Sequence, residues 1–209
     1  PFQTTGIAPL KNFGIGVAGN IGKRDALASF RSPGQATIFS FTTNAAAEDD
    51  RYRWSPQAYW YWGPFGILAE YVKSSQDVTQ NKKKIVARID NAAWQVAASF
   101  VIFGGKATYK DLVAKSPAET KAGKLHALQI AARYHEVDFD GEAFETTAMF
   151  ATNTRSVREA AAWSVGLNYY PNKNVKISAD YEETRFKEGV ARGNRYIERV
   201  VFSRVQISI

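Results

Sequence analysis

The sequence predicts an all-β fold, an antiparallel transmembrane β-barrel, and three observations carry that expectation. Apolar and polar residues alternate with a period of two along most of the chain. Large aromatic rings gather near the ends of these alternating runs, on their apolar side. The most apolar stretch, Ala92 to Phe103, is interrupted by Gln95 and Ser99. It falls short of the roughly 20 residues that a spanning helix needs, whereas a barrel strand crosses with about ten alternating residues. Soluble β-sandwiches alternate too, so a sandwich binding module stays open as a second reading. The placement of the rings favours the barrel.

The clearest run is 51–62, RYRWSPQAYWYW. Arg53, Ser55, Gln57, Tyr59 and Tyr61 fall on one face, and Tyr52, Trp54, Ala58, Trp60 and Trp62 on the other. The pairs Tyr52/Trp54 and Trp60/Trp62 are separated by about 20 Å of strand at roughly 3.3 Å per residue. That spacing suits two aromatic girdles flanking a lipid band. In chain order, the strands are expected near 12–22, 36–43, 51–62, 65–76, 93–102, 127–135, 163–169, 175–182 and 201–209, about nine in all. Trp94, Trp163, Tyr169 and Tyr181 lie near strand ends on the apolar face, as further interface aromatics.

GPFG (63–66) and YPNKN (170–174) read as short hairpin turns, which in such barrels face the periplasm. The segments 44–50, 77–90 and 138–158 then become outside loops, while 23–35 and 104–123 become long periplasmic connections able to fold into the lumen. Nine strands leave unpaired edges, so the strand near 12–22 is expected to lack a neighbour within the chain and not to pair with 199–208.

Net charge is +7, from 27 Lys and Arg against 20 Asp and Glu, which favours anionic partners. The chain has no cysteine, so disulfides and thiolate metal sites are excluded. DFDGE (138–142) spaces Asp138, Asp140 and Glu142 as a calcium loop would, but the full pattern is missing and no metal site is expected. His126 and His135 have no nucleophile motif beside them, and no phosphate-cradling glycine loop is present, so neither an enzyme nor a cofactor is expected. The aromatics alternate with apolar residues rather than with Lys and Arg, which argues against nucleic acid.

RSPGQ (31–35), RYRWSPQAYWYWGPFGILAEYVKSSQ (51–76), AWQVAASFV (93–101), AARYHEVDF (131–139), GLNYYPNKNVKISADYEETRF (166–186) and RVQISI (204–209) resemble the phosphate-selective porin O and P family, in that family's order. The resemblance implies an outer-membrane porin barrel of about sixteen strands, trimeric and conducting anions such as phosphate through a basic pore. It implies that 1–209 is the C-terminal portion of one such barrel domain. The implied partners are outer-membrane lipid and lipopolysaccharide, small anions and two further copies in a homotrimer. A non-selective or structural barrel is the alternative of the same fold.

An anion pathway needs cations facing water inside a low-dielectric wall. Arg53, Arg133, Lys176 and Arg204 fall on the polar face of their strands, and Arg31 sits in a Pro-Gly loop. Glu70, Asp180 and Glu182 share that face and are candidate neutralising partners. The run NKKK (81–84) is expected in an outside loop.

Overall fold

The computed structural model describes residues 2–3, 12–23, 26–80, 85–109, 112–114, 126–145, 149–172, 174–191 and 193–207. NKKK lies outside them. In chain order the strands are β1 (Phe2–Gln3), β2 (Phe13–Lys23), β3 (Phe30–Arg31), β4 (Thr37–Phe39), β5 (Ala45–Trp62), β6 (Phe65–Gln80) and β7 (Ile85–Phe103). They continue as β8 (Gly105–Ala107), β9 (Leu112–Ala114), β10 (Ala127–Asp138), β11 (Val157–Asn172), β12 (Val175–Glu188) and β13 (Glu198–Ile207). A single turn of 3-10 helix, Gly141–Phe144, follows β10. No described helix is long and apolar enough to cross a membrane.

Nine strands form one antiparallel sheet in the order β1-β2-β5-β6-β7-β10-β11-β12-β13, each long strand pairing with the next in sequence. β5 has 18 residues and β7 has 19, well beyond the roughly ten that a tilted crossing uses. These strands therefore continue past the aromatic rows. Among the described residues, β2 has β5 on one side and only Phe2–Gln3 on the other, and β13 does not pair with it. The expectation that 12–22 lacks a neighbour within the chain is thus corrected at Gly14 and Ile15, which pair with β1, while among the described residues the flank over Gly16–Lys23 has no partner strand.

One expected strand is corrected. The stretch 36–43 alternates, but it does not join the sheet: Thr37–Phe39 pairs with Phe30–Arg31 in a separate hairpin. That hairpin folds onto one face of the sheet, called here the inner face. Phe39 is wholly buried there, stacked on Phe139 at 4.3 Å and flanked edge-on by Phe30, Phe41 and Phe144. Ile38, Val78, Ile89, Phe150, Val157 and Phe186 complete this core. The hydroxyl of Ser156 donates to Ser40 O at 3.0 Å and accepts from Ser40 N at 3.1 Å, fastening the hairpin to the connection before β11.

The sidedness of that segment is also corrected. Trp62 and Phe65 flank a two-residue turn in which Gly63 takes φ 57°, a left-handed conformation that suits glycine. The turn before β12 lies at the same end of the sheet. Lys23 pairs with Asp50, at the opposite end of β5, so 24–44 leaves the sheet away from the short turns. At that end too β6 ends and β7 begins, Gln80 pairing with Ile85, and 139–156 leaves the sheet between β10 and β11. Residues 44–50 and 77–90, expected as loops, are mostly strand. At the short-turn end β7 ends and β10 begins, Phe103 pairing with Leu128, and Ala107 N donates to Gly63 O of the first short turn at 3.0 Å.

Candidate functional site

Strand parity separates two chemistries. On the outer face, one row of rings runs obliquely across the sheet: Trp54 meets Tyr71 (centroids 5.5 Å), Trp94 meets Tyr134 (5.3 Å) and Trp163 meets Tyr181 (5.5 Å). Tyr52 extends that row beside Trp54. A second row lies toward the short turns. Trp60 stacks with Trp62 at 6.1 Å, Phe65 meets Phe100 at 4.8 Å, and the Tyr169 hydroxyl sits 3.1 Å from His126 Nδ1. Between the rows the outer face carries Ile67, Val96, Ile130, Val165, Leu167 and Ile177, all exposed to the surroundings. Exposed aliphatics between two amphipathic rows are what a lipid band requires. All eight expected interface aromatics lie on this face.

The inner face is polar at mid-height. Glu70 accepts from Ser55 Oγ and from Gln95 Nε2, both at 2.9 Å. In register beyond Gln95 stands His135, and next to it Arg133 forms an ion pair of 2.8 Å with Glu182, whose side chain is only 3 % exposed. Two inner-face rungs nearer the short turns, Asn168 Nδ2 donates to Gln129 Oε1 (3.2 Å) and Ser178 Oγ donates to Asn168 Oδ1 (2.7 Å). Arg204 is directly opposite Ser178 in this row.

The expected pathway residues meet different fates. Arg53 lies beneath the hairpin, beside Phe30 and Phe41, and its Nε donates to Ser74 Oγ at 3.3 Å. Arg31 is on the hairpin itself, exposed. Arg133 is neutralised by Glu182. Lys176 lies over the Tyr170 ring at 5.2 Å, a cation–π contact. Among the described residues, Arg31, Arg53 and Arg204 form no ion pair with a carboxylate. The hairpin, Arg53 and the Arg133–Glu182 pair thus stand together on one face, while Lys176 and Arg204 lie near the short-turn end.

Cover lies on the inner face at both ends of the sheet, over part of its width. At the loop end, the hairpin reaches across to β13: Glu198 accepts from Ser32 Oγ at 2.9 Å and from Gly34 N at 3.1 Å, and Arg195 Nη1 donates to Thr37 O at 2.8 Å. At the short-turn end, Tyr109 stacks on Tyr59 at 4.3 Å and meets Tyr61 edge-on. A side chain at Gly14 or Gly66 would collide with Tyr59 or Tyr61, so these glycines let the rings lie against the wall. Arg195 and Glu198 escaped the sequence reading because 189–197 shows no periodicity. Their charge, next to the start of an alternating run, was the only available signal.

The acidic run DFDGE has a structural role. Asp140 caps the 3-10 turn by accepting from Glu142 N at 3.0 Å, and it also accepts from Asp90 N at 2.7 Å. Among the described residues no group of His, Asp and Glu is arranged to hold a metal ion.

A family model described as phosphate-selective porin O and P matches residues 10–194. Porin O of Pseudomonas aeruginosa is 26 % identical over 156 residues, covering 73 % of this chain and 34 % of that protein. The chain therefore spans about a third of the length of this curated relative. An antiparallel sheet with two outer aromatic rows and a polar inner face, matched by the family model along most of its length, leads to one assignment: the chain belongs to the phosphate-selective porin O and P family, a family of channels in the bacterial outer membrane.

Proposed function

We propose that residues 1–209 form the C-terminal part of a single porin barrel, and that the full protein passes small anions such as phosphate passively through its lumen. The inner face described above is then lumen wall, and the short turns face the periplasm. The full protein is read as a homotrimer, with its outer face meeting outer-membrane lipid and lipopolysaccharide.

The observation that carries anion preference is Arg53. Its guanidinium lies on the lumenal face, held by a neutral hydroxyl and by no carboxylate among the described residues, beside the hairpin that narrows the passage and carries Arg31. Arg suits an oxyanion because its planar fork offers paired donors and keeps its charge. Inside a low-dielectric wall this field concentrates anions. The alternative, a barrel without useful selectivity, draws support from Glu70, whose carboxylate on the same wall is met by two neutral donors.

Reversal potentials in planar bilayers separate the two. The full porin should prefer anions at low salt, and the preference should shrink as the screening length falls from about 10 Å at 0.1 M to about 3 Å at 1 M. Arg31→Ala with Arg53→Ala should lower the anion-to-cation permeability ratio several-fold. Arg133 is a poorer target, since its loss would leave the buried Glu182 unpaired. Cation preference in the unmodified porin would leave only the non-selective reading.

A further inference from the structure

On the outer face, just beyond the ring row toward the loop end, lies a cluster that the lumen does not use. Glu183 of β12 is directly opposite Trp163 on one side and Arg199 of β13 on the other. Its carboxylate, 9 % exposed, accepts from Arg185 Nε and Nη2 at 3.2 and 3.1 Å through one oxygen, and from Arg199 Nε at 3.0 Å through the other. Both guanidinium groups remain open to the surroundings, at 69 % and 62 % exposure. Two cations on one anion leave a surplus of one positive charge. Each guanidinium carries five N–H donors, so donors remain beyond those given to Glu183. The next rung, Lys187 with Glu159 at 3.5 Å, is internally balanced.

Below this pair, toward the middle of the band, the same strands form an apolar trough of about 390 Å³ lined by Ile130, Val165, Leu167, Ala179, Tyr181 and Val201. Ala179 is small where its neighbours are large, which makes the floor. Along β12 the order is Ala179, Tyr181, Glu183, Arg185. From floor to cation that is about 20 Å at roughly 3.3 Å per residue. An amphiphile with an acyl chain and an anionic head has this same order of chemistry.

We infer that Arg185 and Arg199, aligned by Glu183, form a binding site for the phosphate of an outer-leaflet glycolipid whose acyl chain lies in the trough below. This rests on the outer-membrane orientation proposed above, with the loop end outside, and is independent of lumenal selectivity. A second copy of the chain fits less well. Among the described outer-face acids, Asp77, Asp90, Glu159 and Glu183 are already held by Arg88, Lys73, Lys187 and the two arginines, while Glu136, which accepts from the Tyr134 hydroxyl, and the exposed Asp138 remain. Each of these two is fixed to a rigid sheet that brings no chain to fill the trough. Phosphates offer several acceptor oxygens and match the guanidinium fork.

The test uses full-length porin in detergent, with native mass spectrometry and thermal shift as readouts and bisphosphorylated lipid A as the probe. Dephosphorylated lipid A and phosphatidylglycerol serve as comparisons. The expected result is retention of lipid A with at least tenfold preference over its dephosphorylated form, lost in Arg185→Gln with Arg199→Gln. Ala179→Phe should fill the trough and weaken lipid A binding while both arginines stay in place. Bilayer anion selectivity should not change in the arginine double variant, which keeps this result separate from the reading of the lumen. Equal binding of the two lipid A forms, unchanged binding by the double variant, or tighter binding of phosphatidylglycerol would each overturn the site. Labelling of a cysteine placed at Asn153 in intact cells reports the orientation independently.

Discussion

The two faces of one sheet are organised by different neighbours. The outer face leaves Val17, Ile21, Val165 and Leu167 exposed and orders its rings into two rows. The inner face buries its apolar side chains at the loop end, under the hairpin, and keeps its middle polar through Glu70, Arg133 and Glu182. On the outside, lipid supplies the missing contacts, so packing between side chains matters little. On the inside the protein must supply its own partners. Phe39 finds four other phenylalanine rings, and Arg133 finds Glu182 across three strands. A side chain removed from each face should therefore carry a different cost.

The sharpest way to break this comparison is Phe39→Ala. Emptying the centre of a fully buried aromatic cluster costs about 3–5 kcal/mol. The loss should appear as a lower melting temperature, and as faster amide exchange over 30–39 with the sheet still protected. Uniform exchange across the whole chain would mean that the hairpin and the sheet unfold as one unit. A smaller effect is expected for Glu198→Gln. It removes the charge from the acceptor of Ser32 Oγ and Gly34 N, and hydrogen bonds to charged groups contribute about 1.5–3 kcal/mol in all. Exchange at Ser32–Gly34 should rise and single-channel current should become noisier, while Phe39 stays packed. An unchanged current would show that the hairpin tip needs no tether. Leu167→Ala should have the smallest effect, below about 1 kcal/mol in bilayers, because mobile acyl chains fill the space that a rigid core would leave empty. A cost equal to that of Phe39→Ala would place Leu167 in a protein contact and erase the distinction.

Alternation made the sheet readable. Because side chains on a strand point to opposite faces in turn, 51–62 by itself declares which residues face outward, and Tyr52, Trp54, Trp60 and Trp62 do so. The same rule failed at 36–43. Phe39 and Phe41 alternate as a wall strand would, but periodicity says nothing about which strand is the partner. Here the partner is Phe30–Arg31, and the burying surface comes from Phe139 and Phe144, about a hundred positions later in the chain.

The sequence alone determined where the long strands of the sheet run, though not their full length, together with the two aromatic rows, the polar inner face and the family, since each depends on local periodicity or on matching words along the chain. Only the tertiary structure decided that 24–44 leaves from the end opposite the short turns and closes over the inner face onto Glu198, 164 positions beyond Gly34. It also decided that Arg133 is paired while Arg53 is not, and that Arg185 and Arg199 share Glu183 on the outside. A charge in a sequence has a face but no partner. Partners are set by register and by chain crossings between residues far apart, and these exist only once the sheet has formed.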